Sequence, residues 1–148
     1  MAPQDGGGVD DSREPEDISR ERCWELLGLA PYGRLAVVVD SAPEVFPVNH
    51  LVADVGGRAA VLFRTAAGTK LFAGVGRDVA FEADGVDAGT DEAWSVVVTG
   101  VAELVEDPAT VAEVTGRLVA WHGTDKPHVV AVGGASVSGR RFRLERAR

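Results

Sequence analysis

The sequence predicts a mainly β fold, a small closed or split barrel of about six to seven antiparallel strands with helices at its ends. Two observations carry that expectation. Strand-like runs follow one another in hairpin order, three before the first internal helix and two more after it. Helical patterns occur singly between them, unlike the regular βαβ alternation of a doubly wound parallel sheet. The chain is 148 residues long and 45% apolar, mostly Val, Ala and Leu, which suits one domain with one core.

Residues 1–16 are rich in Gly, Pro and acid and hold almost nothing to bury, so a disordered tail is expected there. The expected domain spans 17–144, followed by a basic tail at 145–148. Ser19 is placed to cap a helix over Arg20–Leu27, with Ile18 packing on Cys23 and Glu21 in the first turn. Gly28 and Pro31 stop it. Arg34–Asp40 is a short apolar, β-branched run typical of a buried strand. Beyond the turn at 41–43, Glu44–Val52 reads as one strand, bulged or unpaired on one side at Pro47, which has no N–H for a ladder. The Gly56-Gly57 turn leads into a strand over Ala59–Thr65.

A short helix is expected over about Lys70–Val75, stopped by Gly76. Asp78–Asp84 alternates as a strand should, with Val79, Phe81 and Ala83 on one side. Gly85–Glu92 reads as a polar loop. Trp94–Val105 is a long strand, and Gly100 marks a bend or bulge within it. Asp107 is a natural N-cap and Pro108 fits the first turn of a helix carrying Val111, Val114, Leu118 and Trp121 on one face, closed by Gly123. His128–Val132 is the last clear strand, and the segment from Ser136 adds one more short one.

Composition excludes several classes of function. Formal net charge is −8. The basic residues near the C-terminus form only a short tail, so no broad phosphate-facing surface supports nucleic-acid binding. A single cysteine, Cys23, permits no intrachain disulfide and fits a reducing cytoplasm. No signal-peptide pattern and no apolar run of roughly 20 residues is present, so a soluble, cytoplasmic protein without a membrane partner is expected. One Cys and three scattered His lack metal-ligand spacing, so no metal site is expected. Neither a dinucleotide fingerprint nor a nucleophile elbow occurs.

The most informative stretch is Val61–Lys70, VLFRTAAGTK. A strand delivers Arg64 and Thr65 to a small-residue loop, which leads to Thr69 and Lys70 at an expected helix start. Guanidinium, hydroxyls, ammonium and free backbone N–H groups are what phosphate monoesters bind. It is not a Walker A loop, because the second glycine and the following Ser/Thr are missing. The alternative is a solvated loop whose Arg and Lys merely face water, and the pattern alone leaves the two open.

Between about Ile18 and Phe142 the chain resembles the pyridoxamine 5′-phosphate oxidase-like flavoproteins, in particular the small bacterial branch that includes nitroimidazole-resistance reductases. The matching segments are Tyr32–Asp40, Pro43–Val52, Phe63–Leu71, Val79–Asp84, Trp94–Ala102 and Val137–Phe142, in that order. The resemblance implies an FMN-binding split barrel whose homodimer interface forms two equivalent flavin sites. It implies a phosphate held by Arg64, Thr65 and Lys70, beside the Thr69 that the pattern already singles out. It also implies a ring beside Pro47, Val48, Asn49 and His50, where backbone groups freed by a bulge at Pro47 meet the ring edge. Trp94 and Ser95 match positions near the cofactor or the partner subunit, although Trp94 also reads as a barrel-end core aromatic.

His50 stands where many relatives carry an aromatic residue, and binding substrate, donating a proton or capping the strand are all open to it. His122 and His128 are expected at the surface. Arg140 and Arg141 either reach a phosphate across the dimer or hold a carboxylate on the rim. The implied activity is FMN-dependent oxidoreduction, passing reducing equivalents from a nicotinamide donor to a small acceptor, with no catalytic side chain required beyond the candidate His50. The alternatives are a deazaflavin-dependent reductase of the same fold and a non-catalytic flavin- or haem-binding protein. True pyridoxamine phosphate oxidases are longer and carry a C-terminal substrate-binding segment, which Phe142–Arg148 matches only loosely.

Overall fold

In a computed structural model, residues 15–118, 126–134 and 136–145 are described. The elements in chain order are β1 (Glu16–Asp17), α1 (Arg20–Leu29), β2 (Gly33–Val39), β3 (Ala42–Val48), β4 (Leu51–Val55) and β5 (Arg58–Thr65). A 3₁₀ turn at Phe72–Gly74 follows, then β6 (Asp78–Asp87), β7 (Glu92–Val105), α2 (Pro108–Arg117), β8 (His128–Gly133) and β9 (Ser136–Arg143). The main path of neighbouring strands is β3-β2-β6-β7-β8-β5-β4, and β9 joins it through β7 while β1 pairs with β9. Every ladder among the described residues is antiparallel. Among the described residues no ladder joins β3 to β4, so the mainly β sheet curls without closing, as a split barrel.

The strand β7 carries both halves of the barrel. On one side it pairs with β6 without a break in register, Asp78 opposite Val101 through Asp87 opposite Glu92. On the other side its first part pairs with β9 and its last part, from Ala102, with β8. The change of partner falls just after Gly100, and the register against β6 runs through it without a bulge.

The barrel interior is filled by Leu35, Val37, Val61, Phe63, Phe81, Val96, Val98 and Val130, and α1 sets Cys23, Leu26 and Leu27 against them. Ser19 caps α1 as expected, accepting from Arg22 N at 3.2 Å. The outer side of the β4-β5-β8 sheet is covered by α2, whose Val114 packs with Leu51, Leu62 and Val129. Asp107 caps α2 through Thr110 N, and Pro108 sits in its first turn.

Several expectations need correction. The single strand over Glu44–Val52 is two strands, β3 on β2 and β4 on β5, with Asn49 and His50 between them. Of the two expectations for Pro47, the bulge is absent and the second fits: it sits in register opposite Arg34 on an edge strand that, among the described residues, has no partner on its other side. The short helix at Lys70–Val75 is only the 3₁₀ turn, and the loop at Gly85–Glu92 is mostly the tip of the β6–β7 hairpin. The ladder takes in Glu16, one residue before the expected domain start. Residues 1–14, Trp121, His122, Gly123 and the last three residues lie outside the described residues.

Gly33 shows how close the packing is. A Cβ there would run into the Phe81 ring and come within 2.7 Å of the Glu82 carbonyl oxygen, which is backbone and cannot move aside. Gly33→Ala should therefore lower unfolding free energy by about 1–3 kcal/mol, the range for overpacking a filled core. Urea denaturation of the variant beside the wild type checks this, and equal midpoints would show that β2 and β6 can part at no cost.

Candidate functional site

The break in the barrel makes the site. Counting alternations along the path, β3 and β4 run in the same sense on its two edges, so they are the halves of one kinked strand and not a hairpin. β4 begins pairing with β5 at Leu51 opposite Leu62. β5 continues to Thr65, and there only β8 pairs with it, up to Thr65 opposite His128. The overhang of β5 therefore faces the end of β3 across an open seam.

A cleft of about 300 Å³ occupies this seam. It is lined by Phe46, Pro47, Val48 and Asn49 from β3 and its end, by Arg64, Thr65 and Ala66 from β5, by Thr69, Lys70 and Leu71, and by Leu118 and Lys126. Among the described residues the lining holds three cationic residues and no carboxylate, in a chain of net charge −8. A larger open groove, about 880 Å³, lies between α1 and the β4–β5 hairpin. Its charged groups are of both signs, Arg20 and Arg58 beside Glu21 and Glu103, and do not converge as those of the smaller cleft do.

Strand alternation turns Arg64 away from the barrel interior and toward the end of α2. Its Nη1 donates to Leu118 O at 2.9 Å and its Nε to Lys126 O at 3.1 Å. These bonds fix the guanidinium plane, and among the described residues no carboxylate pairs with the remaining N–H groups. Thr65 is buried, and its hydroxyl lies 3.1 Å from that of Thr69. Thr69 donates to Ala66 O at 2.8 Å and accepts from Phe72 N at 3.1 Å, which ties the loop into a tight turn. Gly68 permits that turn with φ of +80°.

Two parts of the expected phosphate constellation differ. A three-residue 3₁₀ turn supplies no helix N-terminus, so that contribution falls away. Lys70 lines the cleft, but its Nζ donates to Glu44 Oε1 at 2.9 Å. This hydrogen bond, with the charge of Glu44, holds the Lys70 ammonium above its ordinary pKa. Lys70 is 63% exposed, so the pair is a surface ion pair of little worth.

The remaining candidates lie elsewhere. His50 follows Asn49 but does not line the cleft. It turns inward, 7% exposed, with Nε2 2.7 Å from Leu27 O and its ring 4.7 Å from that of Phe81. In this arrangement its Nε2–H is committed to a backbone carbonyl at the end of α1 and not to the strand it follows. Trp94 sits on β7 between Gly85 and Arg141, packed against the core, and Ser95 between Asp84 and Arg140. Neither lines the cleft of its own chain. Arg141 Nε lies 3.9 Å from Glu92, and Arg140 is opposite Asp17 in the β1–β9 ladder. His128 opens β8 half-buried, 5.2 Å from the Phe72 ring.

Sequence reasoning missed Leu118, Lys126 and Glu44. Leu118, at the C-cap of α2, and Lys126, just before β8, reach the cleft by long-range packing, 54 and 62 residues from Arg64. Glu44 comes from the edge strand, 26 residues before Lys70. Among the described residues no three His, Cys, Asp or Glu side chains are gathered as for a metal ion, and no helix is long and apolar enough to cross a membrane.

The family model of pyridoxamine 5′-phosphate oxidase matches residues 19–141. An uncharacterised Mycobacterium tuberculosis protein, Rv0080, is 36% identical over 133 residues, 88% of each chain. The solved structure of the FAD-binding protein from Mycobacterium smegmatis is similar at 40% identity and a TM-score of 0.73, covering 88% of this chain and 100% of its own. A putative pyridoxamine 5′-phosphate oxidase from Corynebacterium glutamicum matches at 31% identity and a TM-score of 0.73, over 94% of this chain and 100% of its own.

Burial lowers the pKa of His50, with the Leu27 carbonyl bond opposing. The unfolded state then binds more protons than the folded one between that lowered value and the ordinary 6.5. Folding should lose stability as pH falls through this window. Glu82 titrates in the opposite sense, pushed up to about 7 by burial and by Asp84 against Arg34, so comparison with a variant is needed. The stability difference between wild type and His50→Gln should shrink or reverse from about pH 7.5 to about pH 5.5. Urea titrations at both pH values measure it, and a constant difference would mean that His50 titrates alike in both states.

Proposed function

The chain belongs to the pyridoxamine 5′-phosphate oxidase family, and from that premise we propose that it is a flavin-binding oxidoreductase, with the cofactor held in the cleft at the β3–β4 seam. The observation that carries this reading is the charge of the cleft. Among the described residues three cationic residues and two hydroxyls line one concavity and no carboxylate does, although acids outnumber bases in the chain. That donor set suits a phosphate monoester, and Arg64, already fixed by two carbonyls, is its natural anchor. Thr65 and Thr69 add hydroxyls at the same end. Lys70 joins them by exchanging Glu44 for the phosphate.

Pro47, Val48 and Asn49 form the opposite wall. In this reading their backbone groups and the Asn49 side chain meet the polar edge of the ring, while Phe46 and Leu71 exclude water from it. When bound, the flavin supplies the redox chemistry, accepting a hydride from a nicotinamide donor and passing electrons to a small acceptor. The chain's own part is to bind, to orient and to keep one ring face dry. No proton donor from His50 belongs to this scheme.

A second copy completes the reading. The outer face of β2 and β3 exposes Val38 and Val45. A sheet normally buries such a face. In a homodimer built there, Trp94, Ser95, Arg140 and Arg141 would serve the partner's cleft, which accounts for their distance from their own. A single domain of about 17–144 in a reducing cytoplasm, where Cys23 stays a buried thiol, fits the same picture.

FMN is the cofactor the phosphate-sized constellation favours. FAD is the second reading, because the 40%-identical relative is an FAD-binding protein. Acid release of the cofactor from purified protein, followed by chromatography, separates FMN, FAD, deazaflavin and haem. Protein free of any of them, and inert to FMN and FAD in titration, would end the proposal.

Arg64→Ala should weaken flavin binding by about 1.5–3 kcal/mol, the usual worth of a hydrogen bond to a charged group. Lys70→Ala should cost less, about 1 kcal/mol or below, because the ammonium is exposed and must first leave Glu44. Quenching of flavin fluorescence on titration measures both. Equal affinity in wild type and Arg64→Ala would move the phosphate elsewhere.

A further inference from the structure

α1 ends against a proline. Leu26 O accepts from Ala30 N at 3.0 Å. The next carbonyl, Leu27 O, would look to residue 31, and Pro31 carries no N–H. His50 supplies the missing donor, with Nε2 2.7 Å from Leu27 O. A carbonyl oxygen only accepts, so the hydrogen sits on Nε2 and Nδ1 is a bare lone pair. Among the described residues that buried Nδ1 has no hydrogen-bond partner. An unpaired buried acceptor works against folding, so packing against Phe81 alone would be better served by an apolar ring. What the imidazole adds is the bond to Leu27 O.

The place of that bond matters more than its strength. Asn49 and His50 lie between the β2–β3 ladder, which ends at Val48, and the β4–β5 ladder, which begins at Leu51. This is the seam where, among the described residues, no ladder joins β3 to β4. The wall of the cleft made by Pro47, Val48 and Asn49 ends here. His50 fastens the seam to the end of α1, and α1 in turn is fixed in the barrel by the buried Cys23, Leu26 and Leu27.

We infer that His50 is the positioning residue of the cleft: its bond to Leu27 O holds the β3–β4 link in place, and with it the Pro47–Asn49 wall against which the ligand lies. The inference rests on the flavin reading of the cleft for its ligand, and on the bond and the seam alone for its geometry.

The test compares full-length wild type with His50→Phe, His50→Gln and His50→Asn. Phe keeps the ring contact and removes the donor. Gln keeps an N–H donor of similar reach, and Asn carries the same amide on a shorter stem. Two quantities are read, FMN affinity by fluorescence titration and amide hydrogen exchange across residues 46–52 in the flavin-free proteins. The Phe variant should bind FMN about tenfold more weakly, with native circular dichroism and faster exchange confined to 46–52. The Gln variant should stay within about threefold of wild type in affinity, with near wild-type exchange.

Wild-type affinity in the Phe variant, or faster exchange spread evenly over the chain, overturns the inference. If the Phe variant does not fold, the ordering of Gln above Asn in both readouts decides, and equality of the two overturns it. If wild type takes up no FMN, the flavin reading fails separately. Exchange at 46–52 then still decides the positioning role, accelerated by Phe and spared by Gln if the inference holds.

Discussion

One strand that changes sheets without closing the barrel is the constraint on which this structure depends. The extended segment from Ala42 to Val55 pairs first with β2 and then with β5, at opposite edges of the same path. With both halves running in one sense, they cannot pair with each other as a hairpin does. The seam between them must be filled by something other than a ladder. At one point α1 fills it, through Leu27 and His50. Further along, among the described residues, it stays open, and the cleft lies there between the end of β3 and the overhang of β5.

The same geometry explains why the cleft is cationic in an acidic protein. Residues that overhang the end of a ladder are freed from lining the core, so Arg64 can turn outward while Thr65 turns in. Its guanidinium meets the C-terminal end of α2, where carbonyls lack intrahelical partners and a cation is favoured. Leu118 O is such a group at the cap position. The fold thus holds a positive charge at the rim for a reason of its own, and the cleft gains a pre-ordered donor. Lys70 is different in kind. Exposed and paired with Glu44, it is a mobile charge that a ligand can recruit, not a fixed one.

Much of this was legible in the sequence. Ser19 and Asp107 announced both helix starts, and the alternation at Val79, Phe81 and Ala83 gave β6 its buried face. The Arg64–Lys70 segment was recognisable because strand end, small-residue loop and hydroxyls are local features. The kink at Asn49-His50 was not, since the chain stays extended through it and only the partners change. Local pattern reports extension, whereas pairing is a long-range property. His50 was misleading for a related reason. A histidine beside a presumed ring edge suggests chemistry, but its partner is a helix carbonyl 23 residues away, made available by Pro31. The pair Leu27 and Pro31 did carry a signal, a helix end whose next donor is missing, but nothing local says which side chain supplies it.

Arg64 shows why the structural and ligand-binding roles of this seam are hard to separate by deletion. Its two carbonyl bonds tie the end of α2 to the start of β8, across the 119–125 stretch of chain. Removing the side chain therefore withdraws a ligand donor and also leaves two carbonyls to find other partners. A guanidinium held by two such bonds gives up little further freedom when an anion arrives, and pre-ordering of this kind strengthens binding without any new contact. The loss on substitution measures both contributions together. Lys70 makes no such structural bonds to the backbone, so its loss reports on the ligand and Glu44 alone. The difference between the two positions, more than either value, measures how much of the affinity is built into the fold.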